Sequence, residues 1–170
     1  MSKLELLSRA HDREGFDCGS EQLNRFLRQT ARQHSERGIS RTFVLVEENA
    51  QEPKTILGFF TLSICTVKCE TLPPAEAKTL PREVGGIKLG RLAVAKELQR
   101  KGAGKILVIA AMRKFAEVFD QAGGSVCSWM RRTMPQRNIT SNSVSCRCRL
   151  MNSNCFCRSR QFGWSSKISR

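Results

Sequence analysis

The segment from Ile87 to Phe119 leaves the chain little choice of fold. Ile87 to Val94 reads as a strand, followed shortly by the link Gln99-Arg100-Lys101-Gly102-Ala103-Gly104. From Gly102 onward, Ile106, Leu107, Ile109-Ala110 and Phe115 are spread over the faces of a long helix that reaches Phe119. A strand passed through so short a link into a long helix points to an α/β domain. The link also carries chemistry. The first amides of a helix lack intrahelical acceptors and sit at the positive end of its dipole. Two glycines let a ligand approach that backbone, and Arg100 and Lys101 add positive charge, which suits a phosphate or diphosphate. A glycine pair by itself reads first as an ordinary turn.

The rest of the first 124 residues reads in the same class. Lys3 to Leu7 is a short strand, and Phe16-Asp17-Cys18-Gly19-Ser20 is turn chemistry with Ser20 placed as a helix N-cap. Leu23, Phe26, Leu27 and Thr30-Ala31 give an amphipathic helix to about Glu36, which Gly38 stops. Arg41 to Glu47 and Thr55 to Thr66 are strands that pair as an antiparallel hairpin. Glu70 to Gly86, with its prolines, is a loop with room for one short helix, and Ser125 to Trp129 begins a further strand.

Composition divides the chain in two. From Gln121 to Arg170 there are nine basic residues and no acidic ones, which leaves only +5 of the +14 net charge on the first 120 residues. Five of the eight cysteines lie in the same stretch: Cys127, Cys146, Cys148, Cys155 and Cys157. No run approaches the apolar length of a membrane span, and the mixed, charged N-terminus is unlike a secretory signal, so a cytoplasmic protein is expected. In that compartment many cysteines do not imply disulfides.

The order Gln-Arg-Lys-Gly-Ala-Gly resembles the Q/R-x-x-G-x-G/A signature of GNAT acetyltransferases. Gly15 to Leu27, Ser40 to Val46, Gly58 to Ser63 and Leu89 to Val94 look like the tRNA-acetylating GNAT toxins of toxin–antitoxin systems. The resemblance covers about residues 1–124. It implies the acyl-CoA N-acyltransferase fold, a mixed, mostly antiparallel sheet flanked by helices, with acetyl-CoA as co-substrate. It places the diphosphate on Gln99, Arg100, Lys101, Gly102, Ala103 and Gly104, and the pantetheine arm along Leu92, Ala93 and Val94, with the Val94 amide as oxyanion donor. Acetyl would pass to a primary amine, the amino group of an aminoacyl-tRNA. A ribbon-helix-helix antitoxin and a homodimer are the implied partners. The alternative function is a non-catalytic protein that docks an antitoxin or binds RNA through its basic residues.

The family's catalytic acid is a tyrosine beyond the cofactor helix, and this chain contains no tyrosine. Residues 125–170 instead resemble an out-of-frame reading, expected to be disordered and to lack the C-terminal helix and strands of the fold. Trp129-Met130 has one possible codon pair, which forces Asp in the shifted frame, and Met134-Pro135 likewise forces Ala. Synonymous codons elsewhere permit a string containing Tyr-Tyr and Phe-Gly-Phe, as the family places here. The competing reading makes the two Cys-x-Cys pairs a zinc site, but their spacing is shorter than paired zinc ligands usually show, and no metal is expected.

Other side chains carry weaker signals. Arg91 follows a glycine and could reach a cleft to contact tRNA, or be an exposed strand-end arginine. Arg28, Arg32, Arg37 and Arg41 could form a basic RNA surface, or simply a solvated face diluted by Glu21 and Glu36. His11 and His34 suit surface or capping roles better than catalysis. Cys18, Cys65 and Cys69 read as small, partly buried residues.

Overall fold

The computed structural model describes residues 2–68, 81–122, 126–129, 144–146, 148–151 and 154–157. Hydrogen-bonded neighbours in its six-stranded sheet run β1-β3-β5-β6-β7-β8. These strands are β1 (Ser2–Leu6), β3 (Arg41–Glu47), β5 (Gly58–Lys68), β6 (Glu83–Val94), β7 (Val126–Trp129) and β8 (Val144–Cys146). The chain divides into two compact units, Met1–Ser63 with Gly90–Ala111, and Ile64–Leu89 with Met112–Arg170.

In the first unit the predicted hairpin is present. β3 pairs antiparallel with β1 on one side and with β5 on the other, setting Phe43 opposite Phe60 and Thr42 opposite Thr61. The Phe43 and Phe60 rings stack at 5.2 Å, and the two threonine hydroxyls meet at 3.3 Å. Such cross-strand pairs fix register, because a one-residue slip would send each side chain to the wrong face. Two short strands that carry no sequence period, β2 (His11–Asp12) and β4 (Lys54–Thr55), pair in parallel. His11 is buried rather than at the surface. The Ser8 amide donates to its Nδ1 at 3.0 Å, which leaves Nε2 to donate to Glu5 at 3.2 Å.

The helix after Ser20 departs from the uniform amphipathic pattern. It runs as α1 (Glu21–Arg25), a π-helical turn (Phe26–Thr30) and α2 (Ala31–Glu36). The Ala31 amide bonds to the Phe26 carbonyl, five residues back, and this wide turn lets Phe26 and Ala31 both be buried. Ser20 is the N-cap as expected, but its hydroxyl makes no capping bond; its carbonyl takes the Leu23 and Asn24 amides. Gly38 at φ 69° ends α2 as predicted, with the Ile39 amide returning to His34. Phe16, Phe26, Leu27, Ala31, Val44, Val46, Ile56, Phe59 and Ala93 form one buried cluster, and Phe59 meets Phe16 edge-on and Phe26 stacked.

α3 (Ala103–Ala122) buries Leu107, Ala111 and Phe115, spaced four apart, and leaves Ile106 exposed. In the second unit β6 pairs parallel with β7, Gly86 opposite Val126 through Leu89 opposite Trp129, so the strand allowed for at Ser125 to Trp129 is present. β6 begins at Glu83, inside the stretch read as loop. β7 pairs antiparallel with β8, and β9 (Cys148–Met151) with β10 (Asn154–Cys157), short ladders that the sequence period did not foretell. The helix and aromatic strand that the resemblance puts in this region, and the proposed frame change near Gly124, lie outside the described residues. Among the described residues no helix is long and apolar enough to cross a membrane, and no group of His, Cys, Asp or Glu is disposed to hold a metal.

Candidate functional site

The site is built where β6 gives way to α3. Ala95 N–H donates to Leu57 O at 2.9 Å, and Gly90 lies beside Thr61 O, so β5 and β6 run antiparallel here. Within one trans peptide the carbonyl of Val94 points opposite to the Ala95 amide, and in extended backbone the Val94 N–H follows its own carbonyl. Both polar groups of Val94 therefore face away from β5. The carbonyl is occupied by Gln99 Nε2 at 3.1 Å, which leaves the amide as the donor on that side. The close fit of β5 to β6 depends on Gly58, where an added Cβ would stand 2.9 Å from Ala93 O and 2.7 Å from a Leu107 methyl.

Beyond Val94 a 3₁₀ turn, Lys96–Leu98, leads into the glycine link. Arg100 takes the left-handed conformation at φ 61° and Gly102 at φ 86°. The first α3 bonds run from the Lys105 and Ile106 amides to Gly102 O. Among the described residues the amides of Arg100, Gly102, Ala103 and Gly104 have no acceptor in the protein. The exposed Arg100 and Lys101 flank them, and a Cβ at Gly102 would meet nothing within 4 Å. Gly104 is different: its absent side chain faces Val94 Cγ2 at 3.8 Å, ordinary contact, so alanine fits there. Leu92, Ala93 and Val94 are buried, with Ala93 turned into the first unit's core and Val94 toward α3.

Gln99, expected on the cofactor, spends its side-chain amide within the protein. Its Nε2 donates to Cys18 O at 2.7 Å as well as to Val94 O, while the Lys96 amide reaches Asp17 O at 2.9 Å. The turn it grips is held by Asn24, which accepts the Cys18 amide at 3.0 Å and donates to Asp17 Oδ1 at 2.8 Å. Asp17 also takes the Gly19 amide at 2.7 Å, and that bond, then Asn24, holds its carboxyl below the usual range. Asn24, itself buried, is the residue sequence reasoning missed. Its signal was a polar side chain in step with Leu27 and Ala31 on the helix face. Cys18 is buried and Cys65 half-buried, and burial raises both thiols; Cys69 lies outside the described residues.

The predicted RNA-contacting arginines are not one free patch. The Arg91 guanidinium lies 3.8 Å from the centre of the Phe26 ring, and burial lowers its pKa. Arg28 donates to Phe16 O at 3.2 Å, Arg32 pairs with Glu36 at 3.2 Å, and Arg41 reaches Ser35 O at 3.5 Å. Arg37 is exposed.

The profile of the acetyltransferase (GNAT) family matches residues 5–132. Probable toxin TacT of Sinorhizobium fredii is 28% identical over 119 residues, 68% of this chain and 64% of that protein. The tRNA-acetylating toxin of Mycobacterium tuberculosis is 29% identical over 117 residues, 69% of this chain and 68% of its own length. The chain thus spans about two thirds of these relatives. Among solved structures, AtaT complexed with acetyl-methionyl-tRNAfMet superposes with a TM-score of 0.71 at 26% identity, covering 78% of this chain and 79% of the other. A Tyr-to-Phe mutant of KacT gives 0.69 at 30% identity, covering 75% and 76%. A mutant AtaT bound to the C-terminus of the antitoxin AtaR and acetyl-CoA gives 0.61 at 27% identity, covering 75% and 74%. The strand end, the open amides behind it and the likeness over most of the chain have one reading in common, and the chain belongs to the acetyltransferase (GNAT) family, related to the tRNA-acetylating toxins.

Proposed function

We propose that this chain binds acetyl-CoA and presents its thioester to the amino group of an aminoacyl-tRNA, as the toxin half of a toxin–antitoxin pair. The observation that carries the reading is the run of unsatisfied amides at Arg100, Gly102, Ala103 and Gly104, flanked by two exposed cations. They fit a diphosphate, which needs several donors and positive charge at close range. Leu92, Ala93 and Val94 lie along the strand that the pantetheine arm would follow. The Val94 amide, free of β5, would donate to the thioester oxygen as negative charge develops there. Bound acetyl-CoA supplies the activated acetyl group; the residues here orient it and stabilise charge.

The acceptor and an antitoxin partner rest on the relatives, one solved with acetyl-methionyl-tRNAfMet and one with the C-terminus of the antitoxin AtaR. The ribbon-helix-helix type of that antitoxin rests on the family resemblance alone. The absence of tyrosine favours a second reading beside the first: a chain that holds donor and antitoxin with little turnover. Titration calorimetry with coenzyme A tests the carrying observation. Gly102→Asp places a carboxylate among the amides and should weaken binding by at least about tenfold, roughly 1.4 kcal/mol. Unchanged affinity in that variant, or no binding by the parent chain, refutes the diphosphate site. Transfer of labelled acetyl to charged tRNA tests the acceptor.

A further inference from the structure

We infer that Gln99 is a positioning residue for the transfer step: its side-chain amide fixes the Val94 peptide against the turn at Asp17-Cys18, and so aims the Val94 N–H at the thioester oxygen. The inference rests on the acetyl-CoA reading and assigns a role within that site that backbone phosphate binding does not cover.

The Val94–Ala95 peptide is held on both sides. Ala95 N–H bonds to Leu57 O at 2.9 Å, and Val94 O receives Gln99 Nε2 at 3.1 Å. Remove the second bond and the peptide keeps one anchor, leaving it free to rotate and carry the neighbouring amide off line. The far end of Gln99 is anchored too, by the 2.7 Å bond to Cys18 O, and Cys18 is locked in turn by Asn24. Gln99 also directly precedes Arg100, whose amide opens the cradle. One side chain therefore sets the spacing between oxyanion donor and diphosphate cradle, which a donor with a fixed pantetheine length must span. Preorganised donors matter because they need not reorient as charge develops.

The test reads the ground-state complex, so it does not depend on turnover. Acetyl-CoA labelled with carbon-13 at the acetyl carbonyl is bound to the parent chain, and its carbonyl resonance is compared with the free value. The parent should shift it. Gln99→Met, similar in length but without a donor, should lose most of that shift while coenzyme A affinity stays within about threefold. Gln99→Arg, which can again donate to both carbonyls, should restore it. Should Gln99→Met lose its fold by circular dichroism, Gln99→Glu supplies the donor-free comparison. A full shift in the donor-free variant overturns the inference, as does a shift lost together with coenzyme A affinity, or a parent that binds acetyl-CoA with no shift. Failure of the parent to bind coenzyme A is the separate result that sinks the functional reading, and the inference with it.

Discussion

At the scale of single residues, the turn Asp17-Cys18-Gly19 depends on one buried amide. Asn24 is 5% exposed and satisfies groups on both Asp17 and Cys18. Asn24→Leu suits the apolar face in volume but strands the Cys18 amide, and a buried polar group left unpaired costs about 1–3 kcal/mol. Urea unfolding should show a loss of that size, with Asn24→Ser less damaging if its hydroxyl reaches one of the two partners. Acid lability belongs to this scale as well. The Lys54 hydrogen bond, then His11, holds the Glu5 carboxyl below its usual range, and Asp17 is held low by Gly19 and Asn24. Both groups bind protons less readily folded than unfolded. Their stabilisation is therefore complete above ordinary carboxylate values and is lost as pH falls through the lowered ones. Unfolding midpoints should stay level from pH 7 to about 5 and drop below about 4. Glu5→Gln should flatten part of that drop.

At the scale of elements, three glycines near the site should answer differently to alanine. Gly58 meets a backbone oxygen that cannot move aside, so Gly58→Ala should cost about 1–3 kcal/mol by overpacking. Gly102→Ala has open space but an adverse φ of 86°, a penalty of about 1–2 kcal/mol. Gly104→Ala meets ordinary contact and should change thermal unfolding little. That order, read by calorimetry, separates close approach from backbone conformation. The βα unit from Ile87 to Phe119 was legible because a helix that buries Leu107 and Phe115 leaves apolar residues at helical spacing in the order of the sequence. The hairpin was legible through alternation and β-branching in Arg41 to Glu47. The π turn was not, since a five-residue step between Phe26 and Ala31 looks locally like an α-helical pattern. Nor was the parallel pairing of His11 with Lys54, a long-range contact of two-residue strands. Of the site, the motif pointed to the open amides at the start of α3, whereas nothing in its spacing hints at the bond from Gln99 to Cys18 O.

At the scale of the whole molecule, the question is whether a chain with the donor end of an acetyltransferase can complete the reaction. Transfer needs a neutral amine with its lone pair free, an oxyanion donor and a proton for the departing thiolate, and the last is the family tyrosine's part. This chain has no tyrosine, and its acid-free stretch after Asp120 has a composition unlike the rest. A positioned general acid contributes about 10²–10⁴ in rate, so acetylation of charged tRNA should be slower than in relatives by that order, while coenzyme A still binds. We propose that a frame change near Gly124 to Val126 accounts for the difference. Replacing residues 125–170 with the alternative-frame string, which carries the tyrosines, should then raise turnover by about the same factor. Changing only those tyrosines to Phe in the replaced segment should remove most of the gain. Equal rates with and without the replacement would reject the frame account, as would codons across this region that cannot encode the string. Salt-dependent RNA binding that survives deletion of residues 125–170, with no acetyl transfer from either form, would instead leave the chain a binder and not an enzyme.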